Sequence, residues 1–133
     1  MFVDTSAIVA IVAEEDDAEY LASRIGMADH GFTSPLVLLE ATMVLSTRLG
    51  VPPLRAMHYV LEAVSSAGLS IAPIELHHLE PAVQAFANYG KGRGHPAQLN
   101  LADCLSYACA KAGGVPLLYK GDDFSRTDVA SAG

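Results

Sequence analysis

Four short apolar stretches, each ending in a turn-forming or capping residue, punctuate the chain: "MFVDT" at 1–5, "GFTS" at 31–34, "LSIAPIE" at 69–75 and "VPLLYKG" at 115–121. Runs of this length and bounding predict buried strands. Longer segments between them carry helical patterns. "AIVAIVA", from Ala7, is apolar all round and predicts a buried helix starting at Ser6. "EEDDAEYLASRIGMA" predicts an amphipathic helix with its acids in the first turn, where the macrodipole favours them. Ser34-Pro35 is a helix start, Ser as N-cap and Pro at the first position, and that helix runs to Gly50. "VPPLRAMHYVLEAVSSAG" predicts another helix closed by Gly, and "LHHLEPAVQAFANYG" one with Pro81 in an early turn. "LADCLSYACAKAGG" is a further helix, and "DDFSRTDVASAG" a short helix or turn with a possible edge strand. Only "GKGRGHPAQLN" (90–100) breaks the pattern, as a long, flexible-looking loop with three glycines, Lys91, Arg93 and His95.

Strands alternating with helices predict a mostly parallel central sheet covered on both faces, an α/β/α sandwich. The 133 residues fit one domain spanning 1–133, with no repeat or linker. Half the chain is hydrophobic, which favours a folded core over disorder. A net charge of −7 argues against coating nucleic acid by bulk charge, but leaves room for a local basic patch or a bound metal. Cys104 and Cys109, five places apart on one helix, point about 140° apart and cannot bridge. With no CxxC motif, they suit a reducing, cytoplasmic compartment. The N-terminus lacks a basic leader and turns acidic soon after its apolar run, so neither a signal peptide nor a membrane span is expected.

The acids change the picture most. Asp4 ends the first strand, Asp103 lies in the first turn of a helix, and Asp122 and Asp123 follow the fourth strand. Each has a purely structural account: N-cap, dipole-favoured acid and turn residue respectively. Glu40 resists one. It sits in "PLVLLEATMVL", shares a helical stripe with Leu36, Met43, Val44 and Thr47, and has no Lys or Arg within a turn, the nearest being Arg48. A core-facing Glu needs a partner. Helices following strands can aim their acids at the carboxyl edge of the sheet, where ligands bind in such folds. Four converging carboxylates repel by about 4 kcal/mol per pair at 4 Å and an effective dielectric near 20. A divalent cation relieves this, and an all-oxygen set favours Mg²⁺ or Mn²⁺ over Zn²⁺. The expected centre is Asp4, Glu40, Asp103 and Asp122 around a metal.

The segments "VDTSAIVAIVAEEDDAE", "SPLVLLEATMVL", "YGKGRGHPAQLNLADCLSYACAK" and "PLLYKGDDFSRTDV" together resemble the PIN-domain ribonucleases, specifically the VapC toxins of VapBC toxin–antitoxin pairs. The resemblance runs almost end to end. It implies a Mg²⁺-dependent endoribonuclease with catalytic metal ligands Asp4, Glu40, Asp103 and Asp122, Asp123 standing in reserve for the last. It also implies a homodimer and a cognate VapB-type antitoxin that blocks the site. Where many relatives have Ser or Thr two places before the last acid, this chain has Lys120.

Phosphodiester cleavage needs a nucleophilic water and stabilisation of charge at phosphorus, which Mg²⁺ can supply. Ser6 is a candidate to bind phosphate or water, besides starting a helix. Lys91 and Arg93, beside Tyr89, are candidates to grip RNA backbone, with a solvated loop as the plain alternative. His77 and His78 are expected at the surface or in a cap. A haloacid-dehalogenase-like phosphatase would need Asp where Ser6 stands, and a receiver domain would need a central phosphorylatable Asp where "LSIAPIE" offers only Glu75. The non-enzymatic rival is a catalytically degenerate PIN-fold binding module, against which the intact set of acids speaks.

Overall fold

In the computed structural model, which describes residues 1–133, all four strands form one parallel sheet in the order β3-β2-β1-β4. They are β1 (Phe2–Val3), β2 (Phe32–Thr33), β3 (Ser70–Ile71) and β4 (Leu117–Leu118). Six helices connect them: α1 (Thr5–Val12), α2 (Ala18–Met27), α3 (Pro35–Leu49), α4 (Pro53–Ser66), α5 (Leu79–Tyr89) and α6 (Leu101–Gly113). The chain steps from β1 to β2 to β3 in one direction, then returns to β4 on the other side of β1. With right-handed crossovers, α1–α4 cover one face of the sheet and α5–α6 the other. The packing agrees: α1 touches α2, α3 and α4, while α6 packs on α5 and on β1.

Both residues of β1 and of β4 are buried, as expected of central parallel strands covered on two sides. Both residues of β3 are exposed at the sheet edge. A continuous cluster of 28 buried side chains links the strands to α1 and to the inner faces of the other helices. The tail contributes one bridge, Ser131 to Leu117, and is clasped by Arg24, whose guanidinium donates to the Ala132 carbonyl.

Helix ends follow their sequence signals. Ser34 caps α3, its hydroxyl accepting the Val37 N–H at 3.3 Å, and Pro35 opens the helix. Gly50 closes it in the left-handed region, φ 64°, where residues with a Cβ are strained.

Two expectations change. Glu14–Asp17 do not form the first turn of α2, which begins only at Ala18; they form a turn in which Glu14 has φ 54°. Of these acids, Glu15 and Asp17 serve tertiary cations instead of the helix dipole. The 90–100 loop is not loose. Lys91 N–H donates to Leu99 O, and Leu99 N–H to Tyr89 O, both at 2.9 Å. His95 Nδ1 accepts the Ala97 N–H, and Tyr89 and His95 stack edge to face. Glycines 92 and 94, with φ of 82° and 80°, permit the tight turns.

Candidate active site

The return of the chain to β4 creates a switch point between β1 and β4, and a crevice opens at the carboxyl ends of strands there. Asp4 follows β1 directly and is only 3 % exposed. Its Oδ2 caps α1, accepting the Ser6 N–H at 3.0 Å and the Ser6 hydroxyl at 2.7 Å. Its Oδ1 is buried without any hydrogen-bond partner, as is the neighbouring Thr5 Oγ1. The N-cap account of Asp4 is therefore true of one oxygen and leaves the other unexplained. Buried polar atoms without partners are costly, and both belong to residues that line one cavity, which marks that cavity as a place for a ligand.

Asp103 repeats this economy. One oxygen completes a capping box, accepting the Asn100 N–H at 3.0 Å while Asn100 Oδ1 accepts the Asp103 N–H at 2.8 Å. Because α6 runs antiparallel to the strands, its start lies at the carboxyl edge. Burial, together with Asp4, Glu40 and Asp123 nearby, pushes the Asp103 carboxyl up to about 7 against a backbone hydrogen bond that lowers it. No cation offsets that push.

Glu40 departs from expectation in detail. The core face of α3 is Val37, Ala41 and Leu45, and Glu40 is half-buried on its flank beside Val44. It does not face the core. It faces the same cavity of about 290 Å³ that Asp4, Ser6 and Asp103 line. None of the protein's salt bridges includes it.

The fourth acid, expected at Asp122 with Asp123 as its alternative, lies outside the cavity lining. Asp122 and Asp123 are both exposed and neither lines the cavity; the Asp122 backbone carbonyl accepts from Ser125 Oγ. Asp123 is the acid of this pair that acts on Asp103. Gly121 turns the chain with φ 100° just after β4, and a 3-10 turn over Phe124–Arg126 follows Asp123. Ser6, expected at substrate, has its hydroxyl engaged on both sides: it donates to Asp4 and accepts the Lys120 N–H at 2.9 Å. It holds Asp4 and ties α1 to the end of β4.

Lys91 and Arg93 lie outside the acid cavity. Lys91 lines an apolar groove between α5 and α6, with Phe86 and Leu101 among its walls, and the Arg93 guanidinium sits 5.5 Å from the Phe86 ring centre. The cations that do line the acid cavity are Arg48 and Lys120, with Glu15 between them. Lys120 Nζ is 2.7 Å from Glu15 Oε1 and 3.0 Å from Asp17 Oδ1. Arg48 Nη1 reaches Glu15 Oε2 at 3.1 Å. The Lys120 hydrogen bond is the main force holding the Glu15 carboxyl below its usual range. Sequence offered a trace of each: Lys120 as the departure from the Ser or Thr of many VapC toxins, Arg48 as the base nearest Glu40.

His78 is buried and caps its own turn, its Nδ1 accepting the Glu75 N–H, while His77 is exposed beside Glu75. Both are remote from the acids in role.

No three His, Cys, Asp or Glu side chains close on one point tightly enough to ligate an ion directly. The acids line a cavity, as their mutual repulsion favours. The donor set nevertheless fits a hard divalent cation that keeps part of its water shell: all oxygen, one buried carboxylate oxygen without a partner, and one carboxyl raised by its burial and its acidic neighbours. Asp4, Glu40 and Asp103 are the cavity residues that would hold it.

The model of the PIN domain matches residues 1–130. The ribonuclease VapC28 of Mycobacterium tuberculosis is 41 % identical over 132 residues, covering 99 % of this chain and 97 % of that protein. A VapC ribonuclease of Rhizobium meliloti is 42 % identical over 140 residues, covering 96 % and 98 %. Among solved structures, Mycobacterium tuberculosis VapC20, described as a sarcin–ricin loop cleaving toxin, superposes with a TM-score of 0.75 at 20 % identity, over 97 % of this chain and 95 % of that one. The last likeness speaks to fold alone. The full-length match to the PIN model and the level of identity across whole chains establish that this chain belongs to the PIN-domain family, among the VapC ribonucleases.

Proposed function

We propose that this protein is an endoribonuclease toxin that hydrolyses RNA phosphodiester bonds at the acid cavity with the help of Mg²⁺, for which Mn²⁺ substitutes. The observation that carries the reading is the cavity itself. Four acids line it, Asp4, Glu40 and Asp103 beside the cation-paired Glu15, and two of its lining residues, Asp4 and Thr5, each carry a buried polar atom without a partner. When bound, the cation supplies Lewis acidity toward the phosphate and activation of the attacking water.

The chain's own residues supply placement. Ser6 fixes the Asp4 carboxylate through two hydrogen bonds. Asn100 fixes Asp103 through its backbone N–H. Each acid thus keeps one oxygen bound to its own helix start and leaves the other without a hydrogen bond to the protein. Glu40 completes the set from α3, and we assign the fourth position to Asp123. Substrate is RNA, a VapB-type antitoxin is the partner that blocks the cavity, and the protein acts as a homodimer. No helix is long and apolar enough to cross a membrane.

The test is incubation with total bacterial RNA in Mg²⁺, Mn²⁺ or chelator, with sequencing of new 5′ ends. Discrete, metal-dependent ends that vanish in Asp4→Asn support the reading. RNA binding without cleavage in any metal would make the chain a binding module instead.

A further inference from the structure

An RNA strand approaching three carboxylates meets repulsion before it can reach a metal. Something must offset that repulsion at the mouth of the cavity, and the sequence suggests the loop at 90–100. The structure puts other cations there. We infer that Lys120 and Arg48 form a phosphate-binding rim of the active site, held open by Glu15 and Asp17 and engaged by the RNA backbone beside the bond that is cut.

This rests on the ribonuclease reading and adds the residues that seat its substrate. Three features carry it. Both side chains line the cavity that Asp4, Glu40 and Asp103 line, so they are within reach of a phosphate placed there. Both are anchored to one carboxylate: Glu15 takes Lys120 on Oε1 and Arg48 on Oε2. That spaces the two cations across a single carboxyl group, and such a spacing suits the oxygens of one phosphate or of two successive ones. Finally, the Lys120 backbone is fixed by Ser6, the residue that also fixes Asp4. The rim is thereby registered to the acid that ends β1, not floating on a loop.

The anchors hold the cations in place without neutralising them permanently. Surface ion pairs in water are weak. A phosphodiester entering the cavity competes with Glu15 and Asp17 for the same donors, and Lys120, bound to both, has ammonium hydrogens to exchange. Glu15 therefore does two opposite things. It positions the rim, and it competes with RNA for it.

The experiment measures binding of a labelled, mixed-sequence single-stranded RNA in chelator, across a salt series, with cleavage of total RNA in Mg²⁺ scored separately. Lys111 is the matched control: its side chain is 40 % exposed against 38 % for Lys120, and it is salt-bridged to Asp128 at 3.0 Å near the far end of α6. Lys120→Ala with Arg48→Ala should weaken binding by about tenfold or more. It should also flatten the slope of log affinity against log salt by about 0.7 for each phosphate that is no longer neutralised. Lys120→Arg should restore most of the loss. Glu15→Gln should tighten binding, because it frees the cations, whereas a merely structural network would lose binding and stability together in both variants. If the double variant binds no worse than Lys111→Ala with Arg48 intact, and its salt slope is unchanged, the rim is overturned while the ribonuclease reading stands. If the wild type cleaves no RNA in any metal, both fall.

Discussion

Lys91 and Arg93 stand two places apart in a glycine-rich loop just upstream of Asp103; Arg48 and Lys120 come from different halves of the chain. The pair that is close in sequence is the one outside the acid cavity. Lys91 lies along apolar side chains of α5 and α6, Arg93 lies over Phe86, and neither has a carboxylate partner. The distant pair shares Glu15 and lines the cavity. In a parallel sheet, residues that follow different strands meet at one edge, whereas neighbours in a loop share only the loop. Nearness along the chain is thus a poor guide to which cation serves an acid.

The strongest test of the frame common to both pairs is the acids themselves. Asp4→Asn and Asp103→Asn each keep an oxygen for their capping bonds, so the fold should survive. RNA cleavage should fall to background whatever either cationic pair does; near-wild-type cleavage by both variants would rule out the metal centre.

Metal binding should separate the two regions next. Mg²⁺ or Mn²⁺ at a hundred times its Kd should stabilise the folded protein by about 2.7 kcal/mol, read as a rise in Tm. Glu40→Gln should raise the metal-free Tm, since Glu40 is one of the groups that push Asp103 up, and should shrink the metal response. Lys91→Ala with Arg93→Ala should leave that response unchanged. Loss of Arg48 and Lys120, which sit on the cavity, should leave it intact or slightly larger.

A pH series in chelator probes the same site. The Asp103 carboxyl rises from 3.8 to about 7 on folding. The folded state then holds a proton that the unfolded state releases, so stability is greatest below about pH 4 for this group and falls as pH rises through 7. Allowing for solvent screening, the loss is about 2 kcal/mol. Asp103→Asn should flatten the slope. The groups acting on Asp103 include neither loop cation, so the Lys91 and Arg93 double variant should keep the wild-type profile.

The smallest effect is expected for the loop. As outer groups facing RNA backbone, Lys91 and Arg93 should change KM by about threefold when both become Ala, against tenfold or more for the rim, with kcat nearly unchanged in both. An equal or larger KM effect at the loop would reverse the comparison and return the principal grip to residues 90–100.

Much of this was legible along the chain because its signals are local. Strand ends, the Ser34-Pro35 start and the glycine stops at 50 and 114 each depend on a few neighbouring residues, and they fall where expected. Asp4 and Asp103 were legible for the same reason, since each is fixed by a capping interaction within three residues. Glu40 stood out as a carboxylate in an apolar helix without a local partner. Its exact facing did not, because the core side of α3 is chosen by what packs on it.

What the sequence by itself determined is therefore the alternation of strands and helices, the family, and three acids set at strand ends and in helices: short-range hydrogen bonding and hydrophobic period write these into a few adjacent residues. Tertiary structure alone turned Glu15 and Asp17 from helix-start acids into anchors, put Asp123 among the charges acting on Asp103, and chose Arg48 and Lys120 over Lys91 and Arg93 as the cations of the cavity. Those choices depend on how the return to β4 brings distant segments to one sheet edge, and the Coulomb energy that selects among them depends on distance in space, which no local pattern encodes.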